Sequence, residues 1–294
     1  MTDMQISLQE RKRATQLIRR LTPSAPLYKK YEKAATDFIA DFKRAKRDIP
    51  ANMIEVYSLK MVRSELFKRD YLVAFVSEGW FGQVASHCNA IASPSLSLLD
   101  LSSPPLIVIP GKSVPRSRGF SSIVEHEFVH VNQGISGRFP NLNACELKED
   151  VLFEELMNVT QAEFEANFIQ LVRDQTLTPD NELGVGLEKW CLIRGYTQGL
   201  ELTLLRMTTE DFPVAQEKKF LKRLRDDLAE AFASRGLNKE VGQNFADDIE
   251  QMSKIAMLNL NQCRPDITRY KNFGTLFKWL FRKEIEEQDR GGPS

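Results

Sequence analysis

Residues 121–134 read Ser121-Ser122-Ile123-Val124-Glu125-His126-Glu127-Phe128-Val129-His130-Val131-Asn132-Gln133-Gly134, and the rest of the fold can be read outward from this stretch. Ser122 and Glu125 form a Ser-x-x-Glu capping box, and Gly134 supplies a stop one turn after His130, so a helix is predicted over 121–133. Ile123, Val124, Phe128, Val129 and Val131 give that helix apolar faces to bury. His126 and His130 stand at i and i+4, on one side of it.

Upstream the chain changes character. Gly111 to Gly119 is a polar, basic loop, and before it Leu106–Pro110 is bounded by proline on both sides and reads as a strand. Met53–Leu59, Tyr71–Ser77 and Leu96–Leu101 also read as strands, while Met61–Lys68 is equally compatible with a helix. Two amphipathic helices are expected at 5–20 and 28–47, separated by the breaker Thr22-Pro23-Ser24-Ala25-Pro26. Downstream, helices are expected at 150–173, 185–207, 213–235, 239–262 and 268–287. Gly236 closes one of them, Asn238 caps the next, and Gly291 to Ser294 forms a disordered tail. The class is therefore α+β, predominantly α: a small sheet beside the 121–133 helix and a helical C-terminal half. The expected organisation is an N-terminal helical segment (1–50), a core carrying the HEFVH helix (51–175) and a helical subdomain (176–290).

Composition narrows the function classes. The 294 residues carry 40 Lys plus Arg against 40 Asp plus Glu, so no field of one sign steers the molecule toward nucleic acid. Cys88, Cys145, Cys191 and Cys263 are far apart, without a Cys-x-x-Cys pair, which favours free thiols in a reducing compartment. The first twenty residues lack a signal-peptide apolar run, and no stretch approaches the roughly 20 apolar residues a membrane span needs. A cytoplasmic protein is expected; one delivered by a signal-independent secretion route has the same composition. Oligomeric state is not legible.

The chemistry sits in His126-Glu127-Phe128-Val129-His130. Two imidazoles one turn apart can converge on one ion, and two histidines plus one more protein ligand leave a position open on zinc for water. Zinc lowers the pKa of such a water to about 7. Glu127, beside the first histidine, is then the general base that takes the water proton and passes it to the leaving amine. The competing readings are a helix with two exposed histidines and a solvated glutamate, or a metal-free descendant of such a site.

A third histidine at position 136 is absent, because that residue is Ser136; this excludes a metzincin site. His87 is one alternative third ligand, and downstream carboxylates are another. On the 150–173 helix, at roughly 100° per residue, Leu152, Leu156, Val159, Glu163 and Ala166 fall on one stripe, with Glu154 and Glu165 on the opposite side. A carboxylate on a core-facing stripe needs a cation. That cation is zinc in one reading and an arginine in the other. Asn167, one turn on, is placed to orient a ligand histidine.

This pattern, His126-Glu127-x-x-His130 followed on a later helix by Glu163-Phe164-Glu165-Ala166-Asn167, resembles the gluzincin metallopeptidases over two short stretches. The resemblance implies Zn2+ held by His126, His130 and Glu163, Glu127 as catalytic base, and hydrolysis of a peptide or protein substrate. It also implies that strand 106–109 is the sheet edge along which an extended peptide lies. Such enzymes add a side chain that stabilises the oxyanion, and Tyr196 is a candidate by position. The other class of reading is a non-catalytic binding or regulatory protein on the same scaffold.

Two further segments have ordinary explanations beside functional ones. Tyr270–Lys283 interleaves aromatics with lysines, which suits a membrane surface or, more simply, a terminal helix docking on the core. The basic run Glu217–Arg225 is followed at once by Asp226 and Asp227 and reads as a solvated charged face.

Overall fold

The computed structural model describes residues 6–48, 56–79, 81, 91–93, 104–115, 118–137, 148–174, 186–209 and 213–249. Helices α1 (Leu8–Leu21) and α2 (Ala25–Ala45) come first, followed by strands β1 (Val56–Arg63), β2 (Asp70–Val76), β3 (Ile91–Ser93) and β4 (Leu106–Pro110). A 3-10 turn at Lys46–Asp48 follows α2, and helices α3 (Arg118–Ile135), α4 (Glu149–Asp174), α5 (Leu187–Thr209), α6 (Val214–Ser234) and α7 (Lys239–Asp247) come after the strands. The protein is mostly helical with one small sheet, as the sequence predicts. No helix among the described residues is long and apolar enough to cross a membrane.

The chain divides into two compact units, Met1–Arg20 with Arg138–Cys263, and Leu21–Gly137 with Arg264–Ser294. Within them, α2 packs against β1 and β2, and α4 and α5 form the most extensive helix pair among the described residues.

The sheet-bearing unit has strand order β1-β2-β4-β3. β1 and β2 form an antiparallel hairpin, β2 and β4 run parallel, and β4 and β3 run antiparallel. β2 is a continuous apolar run whose residues Tyr71 to Val76 are all buried, as expected for a strand covered on both faces. Tyr71 is where helices meet the sheet: its ring lies 6.0 Å from that of Tyr31 on α2 and 5.0 Å from that of Phe128 on α3. Its hydroxyl donates to Asn132 Oδ1 on α3 at 2.8 Å, so the polar tip is satisfied inside the core. Full burial of a side chain such as Phe128 contributes about 1.5–3 kcal/mol.

Several local expectations change here. Residues 61–63 continue β1 rather than starting a helix, and the hairpin turn that follows places Lys68 at φ 56. β3 was not anticipated; the expected strand 96–101 lies outside the described residues. The capping box at Ser122 and Glu125 is also corrected: α3 begins a turn earlier, so both residues are interior and buried. The Glu125 carboxylate instead accepts hydrogen bonds from Ser64 Oγ (2.7 Å), Glu65 N (2.7 Å) and Leu66 N (3.3 Å), clamping the β1–β2 turn onto α3. The helix stops at Gly137, with φ 66, rather than at Gly134.

The helical unit contains α1 and α4–α7. A real capping box opens α1, where Glu10 N donates to Ser7 Oγ and Ser7 N to Glu10 Oε2. α5 lies close against α4 because of two glycines one turn apart. A Cβ on Gly195 would sit 2.7 Å from the Thr160 carbonyl oxygen, and one on Gly199 3.0 Å from Leu156. α6 ends as expected in a left-handed Gly236, with Leu237 N on Phe232 O and Gly236 N on Ala233 O. Asn238 caps α7 by accepting from Val241 N.

Candidate metal centre

The polar loop after β4 delivers the chain into α3, and α3 carries the two histidines. Its apolar residues Val124, Phe128, Val129 and Val131 are buried. Helical spacing then sets His126 and His130 side by side. His130 is 7% exposed, and its Nε2 lies 3.1 Å from His126 Nε2. The rings are 4.8 Å apart at 74°. On the far side of the His130 ring, Nδ1 is 2.8 Å from Gln133 Oε1. An amide oxygen only accepts, so this contact is made by a protonated Nδ1, and in the neutral ring that tautomer leaves the Nε2 lone pair facing His126.

Two nitrogens bound to one tetrahedral zinc at about 2.0–2.1 Å are about 3.3–3.4 Å apart. The observed separation is within a few tenths of an ångström of that. The pair is also short enough for one imidazole N–H to donate to the other. The arrangement can hold either a shared proton or a shared cation, and the Gln133 contact favours the tautomer a cation needs.

Glu127 is half-buried, and its Oε2 accepts from the backbone N–H of Ala92 at 2.7 Å. Ala92 lies on β3, which is the sheet edge. This corrects the expectation for 106–109: β4 has β2 on one side and β3 on the other, so it offers no open edge.

In the helical unit, Glu163 lies on α4 and is half-buried. The single apolar stripe expected on 150–173 is not what α4 shows. That helix is buried on most faces, by Phe153, Met157, Phe164, Phe168 and Ile169 among others, so it has no single core-facing stripe. Glu155 and Glu165 are buried as well. Glu165, expected on the opposite side, is 2% exposed and engages Arg20 and Gln161 Nε2. Asn167 Nδ2 donates to the Glu163 carbonyl oxygen at 2.8 Å, a bond within α4. The side chain that engages the His130 ring is Gln133, which sequence reasoning missed although it stands one turn after His130 on the same helix.

Tyr196 is a packing residue. It is 0% exposed, stacked on Phe245 at 4.6 Å and edge-on to Phe232, and burial pushes its phenol pKa well up. The hydroxyl expected to serve an oxyanion is therefore enclosed among the apolar side chains of the helical unit. His87 and the 270–283 segment lie outside the described residues. Cys191, the one described cysteine, is free and buried. No protein-family model, curated protein or solved structure matches this chain.

Proposed function

We propose that the protein is a zinc-dependent hydrolase of peptide bonds, of the gluzincin kind, with His126, His130 and Glu163 as protein ligands and Glu127 as general base. The observation that carries this reading is the 3.1 Å approach of the two Nε2 atoms, with Gln133 on the opposite nitrogen of His130. The donor chemistry supports it too: His126 and His130 are brought together one turn apart on α3, and the proposal adds the Glu163 carboxylate as the third donor. Two neutral imidazoles and one carboxylate are a zinc donor set that leaves a further position for water or substrate.

Zinc bound there supplies a polarised carbonyl and a water whose pKa lies near 7. The chain's own residues do the rest. Gln133 fixes the His130 tautomer. Glu127 accepts the proton of the attacking water on its carboxylate and delivers it to the departing amine nitrogen. The Ala92 N–H holds that carboxylate beside the sheet edge, where an extended peptide adds as a strand.

The test is metal content followed by chemistry. Purified protein is expected to hold one zinc per chain, and the H126A/H130A double variant none; equal metal in both refutes the centre. E127Q is expected to keep the zinc and lose roughly 10²–10⁴-fold in hydrolysis, and undiminished hydrolysis removes Glu127 as the base. A second reading, a non-catalytic binding protein on this scaffold, draws on the placement of Tyr196 in the core. Bound zinc without hydrolysis by the wild-type chain on a peptide library selects it.

A further inference from the structure

The helical unit contains a cleft of about 350 Å3 between α1, α4 and the α6–α7 turn. Three guanidiniums line it, those of Arg13, Arg20 and Arg235, against a single carboxylate, Glu165. Leu17 and Phe164 give it a buried apolar floor. Within the lining, positive charge outnumbers negative by two.

The pairing of each arginine decides what the cleft can take. Arg20 is committed to Glu165, which is 2% exposed. Arg13 and Arg235 are paired outside the lining, with Glu188 and Glu154; the two carboxylates are 36% and 54% exposed and the two guanidinium side chains 34% and 20%. Water reaches both carboxylates, so each pair is open on its acidic side and an anion entering the cleft competes with a solvated carboxylate. The Arg13 guanidinium also stands 5.4 Å over the Phe164 ring, which restrains its donors at the floor. The volume is at the lower end of the roughly 300–1,000 Å3 of small-molecule sites and exceeds the needs of a simple inorganic ion.

We propose that this cleft binds a small organic anion, with an apolar body on Phe164 and Leu17 and carboxylate or phosphate groups on Arg13 and Arg235. The forked guanidinium suits planar carboxylate and phosphate oxygens alike. The site involves none of the residues of the proposed metal centre, so either can fail alone.

Calorimetric titration of the full chain with pyrophosphate, citrate and phenyl phosphate, at matched ionic strength, tests it. At least one is expected to bind saturably with a Kd below ~1 mM, and citrate alone or the phosphates alone would identify the recognised group. The R13Q/R235Q variant is expected to bind at least tenfold more weakly. E154Q, which changes an exposed side chain and releases Arg235, is expected to bind more tightly. No saturable binding by any probe overturns the proposal, as does an affinity unchanged in R13Q/R235Q or not raised in E154Q. The last comparison still decides if the double variant fails to fold.

Discussion

Replacing Gln133 by methionine tests whether α3 is built to hold a metal or only to pack. Methionine keeps nearly the volume of glutamine but has no strong acceptor for the His130 Nδ1 proton. Gln133 is 1% exposed and His130 7%, so water does not readily take the place of the lost 2.8 Å contact. Two effects follow and can be separated. Leaving a buried N–H unsatisfied costs the metal-free fold about 1–3 kcal/mol, visible in urea denaturation. Losing the partner that orients a ligand histidine typically weakens metal binding about 10–100-fold. The assay is a zinc competition titration against a chelator of known affinity, run on folded protein in the absence of denaturant, beside the urea curve. A Q133M variant that loses stability yet binds zinc as tightly as wild type refutes the idea that Gln133 orients a ligand, and leaves it as core packing.

Further substitutions separate site from scaffold. E163A is expected to weaken zinc strongly with little effect on the metal-free fold, whereas E165A is expected to cost about 1–3 kcal/mol of stability, discounted because Arg20 is half exposed, and to leave zinc bound; the reverse pattern in titration and denaturation refutes Glu163 as ligand. G195A puts a methyl 2.7 Å from a backbone oxygen of α4, so a loss of about 1–3 kcal/mol in urea unfolding is expected, and an unchanged midpoint shows that α5 shifts freely. E125A strips the acceptor from Ser64 Oγ and two turn amides, and about 2–4 kcal/mol should be lost; faster amide exchange at Glu65 and Leu66 would localise the loss to the turn, and unaltered exchange there would contradict the clamp.

What was legible in the sequence followed from local rules. The HEFVH helix, strand 106–110, the left-handed stop at Gly236 and the Asn238 cap each depend on a few neighbouring residues, and each is present. What was not legible depends on partners distant in the chain. Glu125 has the spacing of a capping box with Ser122, but its carboxylate is taken by the turn at residues 64–66. The choice of Glu163 over Glu165 assumed that α4 has one buried face. A helix surrounded by other elements carries no periodic signal, so Glu165 was assigned to the wrong side. β3 has three residues, too few for an alternating pattern, yet it moves the sheet edge away from β4. The Ser7-x-x-Glu10 box that opens α1 obeys the spacing rule that Ser122 and Glu125 mimic, and here both reciprocal bonds form.

The two compact units are interleaved along the chain, each assembled from separated stretches. Modularity is therefore limited: no single cut yields either unit whole. Removing the first twenty residues would not trim a dispensable arm. It would take away Arg13 and Arg20, stripping Phe164 of its cation and Glu165 of its ion pair on a helix more than a hundred residues further on. An excised 138–263 fragment would carry that same defect, so truncation series on this protein report the loss of a packed helix before the loss of any site.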